Sequence, residues 1–116
     1  MIIEICGYPG TLEFVKRIPD CQVIDTDGSF AGFECIRCCS VYELIAALQV
    51  YQSQSSILCV SNVSSLLRPI SNSETILCKI LCLLLKLSQD FKIILLNQFT
   101  FSVHTKSFIP SKSILY

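Results

Sequence analysis

The chain has no surplus of charge of either sign. Nine basic and nine acidic side chains cancel over 116 residues, so no overall basic field draws it to nucleic acid. Charge of any kind is scarce: 16% of residues are charged and 52% hydrophobic, with a mean hydropathy of +0.59. That is oily for a soluble monomer, and the excess reads as surface buried against a partner. No membrane span is present, because the longest uncharged window, Leu44 to Leu67, is broken by Gln49, Gln52, Ser53, Gln54, Ser55, Ser56, Ser61 and Asn62. The N-terminus lacks a basic segment ahead of an apolar one, and Glu4 interrupts the first apolar run, which argues against a signal peptide. The one histidine, His104, has no evident Cys or Ser partner, so a catalytic base is not expected. Repeats, low-complexity tails and linkers are also lacking, and the length suits one domain with a real core.

Cysteine, by contrast, is plentiful: eight, at positions 6, 21, 35, 38, 39, 59, 78 and 82. Most lie inside apolar runs, as Cys59 does in I-L-C-V and Cys82 in I-L-C-L-L-L. Free buried thiols are used that way in reducing compartments. Cys35-x-x-Cys38-Cys39 offers half of a zinc spacing, but no second C-x-x-C or H-x₃₋₅-H follows. Cys78 and Cys82 fall on one face of a helix without a further partner. Core thiols are therefore expected and a structural metal is not, with a cysteine-based metal or redox module as an alternative.

Ile2 to Cys6 reads as a buried strand ended by Gly7. Thr11 to Ile18 suits two turns of helix, capped by Thr11 and stopped by Pro19. Cys21 to Ile24 is a second strand, closed by D-T-D-G, and Phe33 to Cys39 is a less buried β-leaning segment. Ser40 and Glu43 form a capping box, followed by Val41, Leu44, Ile45 and Leu48 along one face. Ile57 to Val60 is a third buried strand, running into S-N-V-S-S and a stop at Arg68-Pro69. Ser71 and Glu74 suggest a second capping box, opening a helix to about Gln89 that is apolar round most of its circumference and so buried on more than one side. Lys92 to Leu96 is a further strand. Phe99 to Lys112 lacks a period, and Ser113 to Tyr116 can close as a last strand. Strands alternating with helices predict an α/β fold with a mostly parallel sheet covered on both faces.

The first of these transitions is informative. Ile2 to Phe14, I-I-E-I-C-G-Y-P-G-T-L-E-F, has the strand, glycine turn and helix order of a phosphate-binding loop, G-x-x-x-x-G-K-[ST]. Aligned on Gly7, the second glycine falls on Leu12, the lysine on Glu13 and the hydroxyl on Phe14. A branched side chain, a negative charge and an apolar ring replace the groups that admit, neutralise and ligate a Mg²⁺-bound phosphate.

Further landmarks follow in order: V-I-D-T-D-G-S-F at 23–30, I-L-C-V-S-N-V at 57–63, a Leu-rich helix, I-I-L-L-N-Q at 93–98 and S-F-I-P-S-K-S-I-L-Y at 107–116. Together they resemble the ATPase core of the eukaryotic RecA-like recombinases, above all the D-type branch of their paralogues. The resemblance implies a truncated RecA-like core spanning 1–116, without the family's N-terminal DNA-binding domain. It implies adjacent parallel strands for the first and third apolar runs. By position, Gly7, Pro9, Gly10, Thr11 and Glu13 match a vestigial phosphate loop. Asp27 matches the glutamate that orients water, Ser61 the Walker B aspartate that holds Mg²⁺, and Gln98 a γ-phosphate sensor. The loop holding Phe99, Phe101, His104, Lys106, Phe108 and Lys112 matches a DNA-facing segment, which could stack on single-stranded DNA weakly.

The implied function is that of a non-catalytic paralogue in the nucleus, a subunit of a Shu-type complex promoting homologous recombination and double-strand break repair. Its partners would be other recombinase-like subunits, with no cofactor expected. The enzyme alternative is an ATP- and Mg²⁺-binding, DNA-dependent ATPase with a reorganised site, using Lys16 or Arg17 for phosphate and Asp27 for water.

Overall fold

The computed structural model describes residues 2–6, 15, 17–18, 20–28, 30, 34–67, 71, 73–97 and 112–115. Predominantly apolar runs become strands, because a strand covered on both faces favours apolar side chains at successive positions. These are β1 (Ile2–Cys6), β2 (Cys21–Asp25), β4 (Ile57–Ser61) and β5 (Lys92–Asn97), joined by a short β3 (Ile36–Arg37) and by β6 (Lys112–Leu115). The helices are α1 (Val41–Gln49), α2 (Val63–Leu67) and α3 (Ser73–Leu87). The six strands form one sheet in the order β3-β2-β4-β5-β1-β6, and every neighbouring pair is parallel.

Side-chain alternation sorts each strand between two cores. Ile2, Ile24, Leu58, Val60, Ile93 and Leu95 pack with Leu44 and Leu48 of α1 and with Leu77, Ile80 and Leu84 of α3. The intervening Ile5, Val23, Cys59, Ile94 and Leu96 pack on the other face with Val15 and Phe30. The expected α/β sheet covered on both faces is thus present.

α1 starts where its capping box places it. The Ser40 hydroxyl accepts the Glu43 N–H at 3.2 Å, and the Glu43 carboxylate accepts the Cys39 N–H at 2.6 Å. α3 is described from Ser73 onward, and Asn72, which separates it from the expected cap Ser71, lies outside the described residues.

S-N-V-S-S holds the start of α2. Three expectations need correction. α3 is buried on one side only: Leu77, Ile80, Leu81 and Leu84 are covered, whereas Leu85 is 52% exposed. A helix in the outer layer of an α/β fold has only one neighbouring layer to pack on. Lys112, placed in the preceding loop, opens β6 opposite Ile3. Finally β1 and β4, the first and third apolar runs, are parallel but not adjacent, because β5 lies between them and pairs with both. The helix expected over 11–18 falls mostly outside the described residues. Among the described residues, no helix is long and apolar enough to cross a membrane.

Candidate functional site

A parallel sheet gathers the carboxyl ends of its strands along one rim. Ligands bind there where the winding direction reverses. Here β2 leads outward to β3, whereas β4 leads the opposite way to β5. One such reversal falls between β2 and β4, whose last residues are Asp25 and Ser61, and another between β5 and β1, which lead opposite ways to β6 and β2.

Asp25 is 1% exposed, and its two oxygens are fully engaged. Oδ1 accepts the N–H groups of Asp27 at 3.2 Å and Gly28 at 3.0 Å, and the Ser61 hydroxyl at 3.2 Å. Oδ2 accepts the Phe30 N–H at 3.3 Å and lies 3.2 Å from Nη1 of Arg37. A buried carboxylate needs such partners to offset its lost hydration. The result is a loop wrapped around an acid, with Gly28 supplying the positive φ of 83° that the tight return requires.

Ser61 couples this loop to β4. Its Oγ accepts the Thr26 N–H at 3.0 Å while donating to Asp25. The Thr26 hydroxyl in turn reaches the carbonyl oxygens of Ser61 and Asn62. Asn62, held at a positive φ of 38°, donates from Nδ2 to the exposed Asp27 carboxylate at 3.2 Å. Its carbonyl accepts the Ser65 N–H and hydroxyl at the start of α2.

Further along the rim, on the opposite sheet face, Glu4 and Asn97 are both buried. Nδ2 of Asn97 donates to Glu4 at 3.0 Å, and among the described residues Oδ1 of Asn97 has no hydrogen-bond partner.

The structure places Asp27 against Asn62, and Ser61 against Asp25 and Thr26. Gly7, Pro9, Gly10, Thr11, Glu13 and Lys16 lie outside the described residues, as do Gln98, Phe99, Phe101, His104, Lys106 and Phe108. Arg17 is exposed. Thr26, Arg37 and Asn62 were missed; Asn62 had a signal, since a polar pair directly after an apolar run marks a strand's carboxyl end. Asp25, in the D-T-D-G that closes the second apolar run, is the last residue of β2 and the acceptor at the centre of this loop.

The cysteines divide. Cys38 and Cys59 are buried, Cys21 and Cys35 half-buried, and Cys39, Cys78 and Cys82 exposed. The expectation of core thiols thus fails for the last three. Cys59 donates to Cys21 across β2 and β4; this hydrogen bond holds the Cys21 thiol below its ordinary pKa despite its burial. The same hydrogen bond, followed by burial, pushes the Cys59 thiol far up. Burial raises Cys35 and Cys38, with a further push from Asp25 and Glu43 respectively. Among the described residues no three His, Cys, Asp or Glu side chains converge as a metal site.

Chemically, the described residues of the rim offer hydroxyl, amide and the exposed carboxylate of Asp27, with the buried acid of β2 paired to Arg37. Comparison with known proteins finds no family model that matches the chain and no curated protein that matches it.

Proposed function

We propose that this chain is a catalytically silent, RecA-like recombinase paralogue, acting as a subunit of a small nuclear complex that promotes homologous recombination and double-strand break repair. The observation that carries the reading is the tip of β4. There Ser61 stands where the resemblance calls for a metal-holding acid, and the nearest buried acid, Asp25, is tied to its own loop and to Arg37. A hydroxyl and a neutralised carboxylate give Mg²⁺ no anionic anchor, so metal-assisted phosphoryl transfer lacks its electrostatics. Glu13, at the lysine position, adds the wrong sign of charge on the phosphate side.

The insertion of β5 sets β1 and β4 two strand spacings apart, about 10 Å, so the reading rests on a shared carboxyl rim and not on direct strand adjacency. The oily composition supports a subunit role, since obligate partners bury core-like surface. Other recombinase-like subunits are the proposed partners, and single-stranded DNA at most a weak one.

Affinity purification of the tagged chain from native extract, read by mass spectrometry, tests the subunit role. Recombinase-like subunits are the expected companions; a solitary, well-behaved monomer overturns it. Calorimetric titration with ATP and Mg²⁺ tests the silence. Saturable micromolar binding abolished by Asp27→Ala would establish the alternative of a reorganised, DNA-dependent ATPase.

A further inference from the structure

α3 carries two thiols where solvent reaches them. Cys78 and Cys82 are both exposed, although unpaired cysteine is among the most buried residue types. Leu85 beside them is 52% exposed, while Leu77, Ile80, Leu81 and Leu84 fill the core from the other side of the helix. Residues four apart on a helix have Cβ atoms about 5–6 Å from each other. Sulfurs around a tetrahedral zinc, at Zn–S distances of about 2.3 Å, stand about 3.8 Å apart, a separation that rotamer choice supplies to such a pair. Two thiolates are half of a tetrahedral set, and among the described residues no third ligand joins them. A second copy related by a two-fold axis brings the same two ligands simultaneously and closes the set.

We propose that the outer face of α3 is a metal-dependent homodimer contact, in which Cys78 and Cys82 from two copies together bind one thiophilic, tetrahedral divalent cation of the zinc type. Charge supports that occupant. Four thiolates around a divalent ion leave two negative charges, and Lys79 and Lys86, three residues before and four after Cys82, are exposed on the same helix. In the dimer they ring the site with four positive charges. Leu85 is covered at the same step, accounting for an apolar side chain otherwise left in water. Of the competing thiols around residue 38, Cys38 is buried and pushed up by that burial, Cys35 is half-buried and pushed up likewise, and Cys39 alone of the three is exposed. This inference is independent of the recombinase reading; either can fail alone.

The test uses the full chain, purified without chelator and kept in a phosphine reductant. It is titrated with Co(II) or Zn(II) alone while metal content and sedimentation are followed. The expected results are one metal per two chains, the intense visible bands of thiolate-bound tetrahedral cobalt, and a monomer-to-dimer shift reversed by EDTA. A Cys78→Ser, Cys82→Ser double variant should lose bands and dimer together with its far-UV circular dichroism unchanged, and a Cys35→Ser, Cys39→Ser variant should keep both. One metal per chain, a monomer that binds metal, or binding that survives the first double variant would overturn the proposal. So would binding lost in the second variant, or a dimer dissolved by reductant and indifferent to chelator.

Discussion

Removing the Asp25 carboxylate should unlock the rim. In Asp25→Ala the Phe30 N–H, the Thr26–Ser61 pair and the Arg37 guanidinium lose their common acceptor. Hydrogen bonds to a charged acceptor contribute about 1.5–3 kcal/mol each, but the N–H groups of Asp27 and Gly28 lie near the surface and can turn to water. The Arg37 side chain is 45% exposed, so its ion pair adds at most about 1 kcal/mol. Counting the buried Phe30 N–H and Ser61 hydroxyl in full and discounting the rest gives about 3–6 kcal/mol, in line with about 3–5 kcal/mol for breaking a buried pair by removing one member. Equilibrium urea denaturation measures it, and hydrogen exchange should show the Gly28 and Phe30 amides losing protection first. Asp25→Asn keeps the shape but loses the charge, and should cost about 2 kcal/mol. If the acid were instead an unneutralised group awaiting a metal, Asp25→Asn would stabilise the apo chain. A neutral or stabilising result would refute the assignment.

Leu84, fully buried, and Leu85, 52% exposed, should separate on truncation: Leu84→Ala costs about 2–5 kcal/mol, whereas Leu85→Ala stays within about 0.5 kcal/mol in the metal-free monomer, both by urea denaturation. Ser40→Ala should cost about 1 kcal/mol by removing the α1 cap, and Glu43→Ala should add little in that background because the two act as one box. Alkylation followed by peptide mapping should modify Cys39, Cys78 and Cys82 in the native state and Cys38 and Cys59 only on unfolding. Cys21 should react with a midpoint below the ordinary thiol pKa, and Cys59→Ala should move that midpoint upward, because the thiolate loses its S–H donor.

How much of this was legible in the sequence follows from how local each signal is. β4 and β5 announce themselves as apolar runs, β1 as one broken only by Glu4, and α1 through a capping box confined to five residues. α2 was hidden because five residues contain barely one helical turn, too short for a hydrophobic period. The exposure of Cys78, Cys82 and Leu85 was hidden because hydropathy measures what a side chain prefers, not whether a neighbouring layer exists to cover it. Strand order is a non-local property, so nothing in the runs themselves told that β5 would insert between β1 and β4. At the rim, neither the Asn62–Asp27 hydrogen bond nor the Arg37–Asp25 pair was legible, the latter because it depends on the short edge strand β3 lying in register with Asp25.

That network also explains why a single reversion at Ser61 would not simply restore a metal site. The Ser61 hydroxyl donates to Asp25 at 3.2 Å in a buried setting. Ser61→Asp would replace a donor with a second carboxylate, and two unit charges about 4 Å apart at an effective dielectric near 20 repel by about 4 kcal/mol. Arg37 cannot relieve this, because it lies against the other oxygen of Asp25. The variant should therefore be several kcal/mol less stable than the wild type at neutral pH, read by urea denaturation. Millimolar Mg²⁺ should recover part of that loss in the variant and leave the wild type unchanged, since only the paired acids create a site for a hard cation. A Ser61→Asp chain as stable as the parent would refute the description of the Asp25 network. One that is destabilised but indifferent to Mg²⁺ would instead remove the metal-site ancestry proposed for this rim, leaving the polar cluster as a structural clasp between β2 and β4.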